Sequence, residues 1–308
     1  MFKNLLVPIT GGPGDAAVFA TARLVAETFA AHLEFLHVRI DTTEVLMSMT
    51  AGGVGGGDAV QAVIDRMDAE ADALAATARR AADDLLAAAG IALRDTPDGA
   101  TLDKAGDKAG DKAGDKAGDK AGASAEYSVQ QGDRSAWVAQ YGRFADLIVM
   151  GRGSPDDGAG DTLEAALMDT GKPLLIAPAT SPASLGKRIV IAWKDTAEAA
   201  RAVSCALPFI SRAEQVTIVS VVDDAESADQ SGARLLRALR WHNPAVTLRQ
   251  VMRGSSTAVE VLHREADALS ADLLVMGGYS HSRLREVVFG GFTRRTLGSS
   301  AVAVLMAH

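Results

Sequence analysis

Residues 271–300, ADLLVMGGYSHSRLREVVFGGFTRRTLGSS, are the stretch of this chain that decides its fold. An apolar run typical of a buried strand, residues 273–276, ends at two consecutive glycines, Gly277 and Gly278. A second glycine pair follows a short polar loop, and it opens a segment with helical character. Glycines at a strand exit and at a helix start let backbone N–H groups approach an anion closely, and a helix N-terminus adds positive potential. The stretch therefore predicts a phosphate-binding loop after a buried strand.

An echo of this stretch, ADLIVMGRG at residues 145–153, shows that the chain repeats itself once. In each half, nearly continuous apolar runs alternate with helical segments, as a parallel sheet covered on both faces requires. The predicted strands are residues 4–9, 33–38, 126–130, 147–150 and 173–177 in the first half and 187–193, 215–222, 246–252, 273–276 and 301–306 in the second. The fold class is therefore α/β, with two tandem Rossmann-like domains. Each is a five-stranded parallel sheet with helices on both faces.

The domain boundaries follow from composition. Residues 178–186 are rich in Pro, Ser and Gly and predict an exposed linker between a first domain, residues 1–178, and a second, residues 187–308. Residues 103–122 are five copies of Asp-Lys-Ala-Gly. One glycine in every four residues disfavours a helix, and no large apolar side chain is present to dock, so we expect a disordered insertion. Residues 47–57 form a second, glycine-rich insertion.

The net charge limits the kinds of partner that we expect the chain to bind, and the cysteine content indicates the redox state of its compartment. The net charge of −8 disfavours nonspecific binding to nucleic acid or to an anionic membrane. Cys205 is the single cysteine, which excludes an intramolecular disulfide and fits a reducing compartment. No apolar run is long enough for a membrane span, and residues 1–10 are typical of a first strand rather than of a signal peptide. We therefore expect a cytoplasmic protein.

The chain resembles a tandem universal stress protein, that is, two such domains fused in one polypeptide. The resemblance lies in the fourth strand with its glycines, DLLVMGGYSHSRLREVVFGGFTRRTL at residues 272–297, and in the turn after the first strand, IAWKDTAEAARAV at residues 191–203. It implies five parallel strands in each domain. It also implies ATP, with Mg²⁺, held by a Gly-x2-Gly-x9-Gly-[Ser/Thr] loop, and an Asp at the end of strand one. Domain pairing through the fifth strands is a further implication, and the resemblance allows a homodimer of chains.

The second half keeps part of this pattern. Gly277 and Gly290 match two of the glycines, Ser280 stands in place of another, and Gly291 replaces the usual Ser or Thr. The expected Asp falls on Lys194, which can contact a phosphate but cannot accept a hydrogen bond from a ribose hydroxyl. The residues that the resemblance places around ATP are Ala192, Trp193, Lys194, Met276, Gly277, Ser280, His281, Arg283, Gly290, Gly291, Phe292 and Thr293.

The first half departs further from the pattern. Thr10 stands where the Asp is expected, and Gly151 and Gly153 are followed by Pro155 and two carboxylates. Proline removes a donor and carboxylates repel phosphate, so we expect no nucleotide in this half and a structural role instead.

Three functions compete. The first is a stress-response signalling module that holds ATP in the second half with little or no hydrolysis. The second is a non-nucleotide scaffold or interaction protein with decayed loops, in which the glycines serve only tight turns. The third is a slow ATPase, for which Asp195 is the one carboxylate near the loop. No catalytic residues and no metal ligands are assigned, since the histidines are too scattered for a HExxH-type pair.

Overall fold

The computed structural model describes residues 1–39, 57–94, 122–152, 159–223, 230–278 and 302–308, without the side chains of residues 57–60. The first half contains β1 (Asn4–Ile9), α1 (Asp15–Phe29), β2 (His32–Arg39), α2 (Gly57–Ala89), β3 (Ala92–Leu93), β4 (Ser124–Gln131), α3 (Arg134–Gly142), β5 (Leu147–Met150), α4 (Ala159–Met168) and β6 (Leu174–Ile176). The second half contains β7 (Arg188–Ala192), α5 (Ala197–Ile210), β8 (Gln215–Val222), α6 (Ser231–Leu239), β9 (Val246–Met252), α7 (Ala258–Ala268), β10 (Leu273–Gly277) and β11 (Ala303–Ala307).

The strands form one sheet of 11 strands in the order β3-β4-β2-β1-β5-β6-β11-β10-β7-β8-β9. All neighbours are parallel except β6 and β11, which pair antiparallel with Leu305 opposite Leu175. The α/β class and the mainly parallel sheet are as predicted, but the first half contributes six strands rather than five, and its strands join the five of the second half in one sheet. This pairing saturates the backbone groups that the fifth strands would otherwise present as open edges.

Helices cover both faces of the sheet, as the continuous apolar strands require. On one face, α1, α2, α5 and α6 pack over a core that runs through both halves. On the other face, α3, α4 and α7 cover a second core, which also includes residues from both halves. Within the described residues, no helix is long and apolar enough to cross a membrane.

Three phenylalanines join the halves on the first of these faces. The ring centroid of Phe209, on α5, lies 5.3 Å from that of Phe2 and 5.1 Å from that of Phe29. Phe2 and Phe29 themselves meet edge to face at 5.3 Å. Because all three side chains are buried, the two halves share a continuous apolar interior rather than touching only through the strand pair.

The two copies of the internal repeat make equivalent hydrogen bonds at the amino end of the sheet. Asp146, which precedes β5, accepts hydrogen bonds from the backbone N–H groups of Lys3 and Asn4 at 2.7 and 3.1 Å. Asp272, which precedes β10, accepts in the same way from Lys187 and Arg188, both at 3.1 Å. The Ala-Asp pair that begins each copy of the echo therefore fixes the start of the neighbouring first strand.

Two elements of the first half differ from the sequence prediction. Helix α4, which lies between the fourth and fifth predicted strands, was not predicted because its first residues, Ala159, Gly160 and Asp161, are small or polar and give no apolar periodicity. Strand β3 has only two residues and gives no periodic signal. Residues 47–56 and 103–121, which include nearly all of both predicted insertions, lie outside the described residues.

Candidate functional site

The described part of the predicted ATP site lies where β7 and β10 end side by side. Ala192 of β7 and Met276 of β10 are register partners, and Trp193, Lys194 and Gly277 continue from these two strands. The strand order of the second half, β9-β8-β7-β10-β11, reverses between β7 and β10. Ligands of open α/β sheets bind outside the carboxyl ends of the strands at this kind of switch point. The fold therefore brings two distant sequence segments to the position where a ligand crevice is expected.

Trp193 is held in place by hydrogen bonds on both its backbone and its ring. Its backbone N–H donates to the carbonyl oxygen of Val219 at 2.9 Å, and its indole Nε1 donates to Ser231 Oγ at 2.8 Å. Ser231 begins α6 and is only 5% exposed. The indole ring thus ties the end of β7 to the start of α6, a contact that the sequence does not reveal because Ser231 is distant along the chain.

Lys194 follows β7 and is exposed. Its carbonyl oxygen accepts a hydrogen bond from Thr196 N at 2.8 Å, which closes the tight turn into α5. Thr196 is the N-cap of α5, and its hydroxyl accepts from Ala199 N. The exposed ammonium group and the positive end of the helix dipole lie on the same short segment, which is favourable for an anion.

The glycines after β10 have a packing role in this structure. A Cβ atom on Gly277 would lie 2.6 Å from Ala199 N, so any side chain there would collide with the start of α5. A Cβ on Gly278 would lie 2.8 Å from Leu167 Cδ2 of α4 in the first half. The N–H of Gly278 donates to the carbonyl oxygen of Ala307 at 2.8 Å. Close packing against backbone atoms thus requires glycine at position 277, and a side chain at position 278 would require Leu167 to move, whether or not a ligand is bound.

The remaining predicted site residues lie outside the described residues. They are Ser280, His281, Arg283, Gly290, Gly291, Phe292 and Thr293. Their assignment to a nucleotide stays a prediction from the sequence. Within the described part of the chain, no group of three or more His, Cys, Asp or Glu side chains is arranged to hold a metal ion.

The first half has a cavity at the corresponding position, which the sequence did not predict. The cavity has a volume of about 510 Å³ and is lined by the ends of β1, β2 and β5, by the turn into α1, and by the first residues of α3 and α4. Asp15, at the start of α1, is 6% exposed, and burial raises the pKa of its carboxyl although hydrogen bonds from Gly11 and Thr10 oppose the shift. The turn between β1 and α1 forms part of the cavity wall, since Thr10 and Asp15 both line the cavity.

Residues 186–308 match the model of the universal stress protein family. The match includes β7 to β11 and every residue of the predicted ATP site. It agrees with the resemblance seen in the sequence for the second half. No curated protein matches the chain.

Two solved structures resemble the whole chain in fold. A universal stress protein from Archaeoglobus fulgidus DSM 4304 is 15% identical, with a TM-score of 0.65, and the likeness covers 99% of this chain and 95% of that one. A functionally unknown protein from Pseudomonas aeruginosa PAO1 is 14% identical, with a TM-score of 0.50, covering 99% of this chain and 92% of that one. At these identities the likeness concerns the fold alone. It extends over the first half as well as the half that matches the universal stress protein model.

Proposed function

We propose that this protein is a stress-response signalling module that binds ATP at the switch point of its second half, with little or no hydrolysis. The observation that carries the proposal is the convergence of the predicted residues. Ala192 and Met276 are register partners at the carboxyl ends of β7 and β10, where open α/β sheets hold their ligands. The family match over residues 186–308 supports the same site.

The phosphate groups are assigned to the segment that begins with Lys194. Its exposed ammonium group supplies a positive charge, and the N-terminus of α5 supplies partial positive charge a few residues later. Because Gly277 has no side chain, the start of α5 packs closely against the end of β10. The segment that begins with Lys194 and the end of β10 therefore lie side by side at the carboxyl edge of the sheet. The glycines and Ser280 of the loop would complete the phosphate contacts, as the sequence predicts.

Little or no hydrolysis is expected because few groups are available to activate water. Among the described residues, the carboxylates at this edge are Asp195, which is exposed, and Glu198, in the first turn of α5, whose pKa is lowered by hydrogen bonding to its own backbone N–H. An exposed carboxylate without a positioning partner is a weak general base at neutral pH, since proton abstraction requires a fixed geometry and a matched pKa. Release of inorganic phosphate from ATP, measured with the purified chain, tests this expectation directly.

The decisive experiment is a calorimetric titration of the full chain with ATP and Mg²⁺. We expect Lys194→Met to weaken binding about tenfold, which is the usual effect of losing one charge-assisted hydrogen bond. Lys187→Met is the matched control, since Lys187 lies at the opposite, amino end of the same strand and pairs with Glu214. Gly290→Val tests the loop itself. If ATP does not bind below millimolar concentrations, the non-nucleotide interaction module becomes the better description.

A further inference from the structure

The sheet ends in an open edge in the second half. β9 is the last strand and pairs with β8 alone within the described part of the chain. The carbonyl oxygen of Ala245, just before β9, accepts a hydrogen bond from Val216 N of β8 at 3.2 Å. Backbone groups of successive strand residues face opposite sides, so those of Leu248 and Met252 point away from β8. Such an edge is a template for a further strand.

Two exposed arginines lie beside this edge, at the end of α6. The helix packs over β9, where a Cβ atom on Gly232 would lie 3.1 Å from Leu248 Cδ1. Arg237 is in the last turn of α6, and Arg240 is its C-cap. Within the described residues, neither guanidinium group forms a hydrogen bond or an ion pair. Both charges are therefore available to a partner.

The two arginines of the β9 segment have partners of their own. Arg249 Nη1 lies 2.9 Å from Glu265 Oε2, and Arg253 Nε lies 2.8 Å from Asp223 Oδ1. These two carboxylates are thus paired and do not neutralise the arginines at the end of α6.

Further carboxylates occur in the segment before α6. Residues 224–229 lie outside the described residues and contain Asp224, Glu226 and Asp229. This segment leads to the start of α6 at Ser231, whereas Arg240 is nine positions further along the helix. At 1.5 Å per residue, the two ends are about 14 Å apart. The three negative charges therefore precede the end of α6 that is opposite to Arg240.

A large aromatic side chain is exposed next to these arginines. Trp241 follows Arg240 and is 90% exposed, and Met252, at the other end of β9, is 52% exposed. Tryptophan side chains are common anchors of protein interfaces. The edge thus offers outward backbone groups, positive charge and apolar surface to one partner.

We propose that β9 takes an extended acidic peptide, which adds to the sheet as a further strand, places carboxylates beside Arg237 and Arg240, and packs an apolar side chain on Trp241. Strand addition supplies main-chain hydrogen bonds, and the side chains beside the strand supply specificity. A second copy of this chain fits less well, because β9 has Arg249 and no carboxylate and would meet the same positive edge. A nucleic acid would leave the outward backbone groups unpaired, and the net charge of −8 opposes it.

The test is a calorimetric titration of the full chain with a peptide of alternating Glu and Val that is as long as β9. Two other peptides of this length are compared with it. One alternates Lys and Val, and the other is the Glu-Val peptide with N-methylated valines, which keeps the charge but lacks those N–H donors. We expect one Glu-Val peptide per chain. Both other peptides should bind at least tenfold more weakly, because one has the wrong charge and the other cannot complete a strand.

Variants of the edge test each contact separately. The double variant Arg237→Gln and Arg240→Gln should weaken binding of the Glu-Val peptide about tenfold, because two exposed ion pairs are lost. Lysine at both positions keeps the charges and should retain most of the affinity. The matched control is the double variant Arg80→Gln and Arg143→Gln, which changes the net charge equally at exposed positions of the first half and should bind within twofold of the unmodified chain. Trp241→Ala should weaken binding at least fivefold, because an aromatic anchor is lost.

Several results would overturn the proposal. These are equal affinity for the Glu-Val and Lys-Val peptides, full binding of the N-methylated peptide, or binding that the double glutamine variant or Trp241→Ala leaves unchanged. Tighter binding of oligothymidylate than of the Glu-Val peptide would assign the surface to single-stranded nucleic acid. Competition between the peptide and dimerisation of the chain, followed by analytical ultracentrifugation, would assign the edge to a second copy.

The test is separate from that of the ATP site. Lys194→Met should weaken ATP binding without affecting the peptide, since Lys194 follows β7, which is separated from the open edge by β8. Circular dichroism of each variant confirms that a loss of binding is not a loss of folding.

Discussion

Replacing Glu34 with Gln is expected to stabilise the protein increasingly as the pH rises from 5 to 8. Glu34 on β2 lies opposite Glu126 on β4 in the parallel ladder, so the two carboxyl groups are on the same face of the sheet. His32 Nε2 lies 3.6 Å from Glu126 Oε1. Burial, and then repulsion by Glu126, raise the pKa of Glu34 from 4.5 to about 7. The folded protein therefore holds a proton on Glu34 that the unfolded chain releases.

The sign of the effect follows from this difference in proton binding. When the pKa of a carboxyl group is higher in the folded state than in the unfolded state, the folded protein loses stability as the pH rises from the unfolded pKa to the folded pKa. The full shift corresponds to about 3 kcal/mol, at 1.36 kcal/mol per pKa unit. Glu34 is partly exposed, and solvent screening reduces the effect, so we expect about 1 to 2 kcal/mol between pH 5 and pH 8. Glutamine has the same shape and no charge, so the variant escapes this loss.

The assay is urea denaturation of both proteins at pH 5, 6, 7 and 8 and constant ionic strength. The free energy of unfolding of Glu34→Gln minus that of the unmodified chain should grow from pH 5 to pH 7 and level off by pH 8, above the folded pKa of about 7. Glu27→Gln is the control, because Glu27 is an exposed carboxylate paired with Arg23 on α1. A difference for Glu34→Gln that stays constant across the four pH values would refute the reasoning, since no proton would then be linked to folding at this site.

Two further substitutions test the junction of the halves and the internal repeat, both by urea denaturation. Phe209→Ala should lower the free energy of unfolding by about 3 to 5 kcal/mol, because the ring fills the shared core between Phe2 and Phe29. Trp241→Ala, whose side chain is 90% exposed, is its control and should change stability by less than about 0.5 kcal/mol. Asp272→Ala should cost about 2 kcal/mol because its carboxylate accepts the hydrogen bonds that start β7, and Asp272→Asn should recover part of that loss.

Most of the fold could be predicted from the sequence because its strands are buried on both faces. Leu147–Met150 and Gln215–Val222 have the predicted bounds and are mostly buried. Val246–Met252 also has the predicted bounds, although it lies at the edge of the sheet and four of its seven residues are exposed. The repeated Ala-Asp-Leu segments indicated two halves of similar topology. The register of β6 against β11 could not be read from the sequence, because many registers of two short apolar strands bury similar surface.

The candidate site was predictable only in part. The end of β7 and the glycines after β10 carry a local signal, since both follow buried strands. The close packing of Gly277 against α5 leaves no signal in the sequence, because it depends on where the fold places a helix from another segment of the chain. The cavity of the first half was missed for the same reason. Asp15 is unremarkable in the sequence, and only the folded turn brings its carboxylate to the amides of Thr10 and Gly11.

The number of ATP molecules bound per chain tests the central claim most directly. The two switch points have the same strand order, but the turn amides are occupied by Asp15 in the first half, while Lys194 is exposed in the second. Calorimetric titration of the full chain with ATP and Mg²⁺ should therefore give one site per chain, and this site should be weakened by Lys194→Met. Two sites per chain, or no binding below millimolar ATP, would contradict the account.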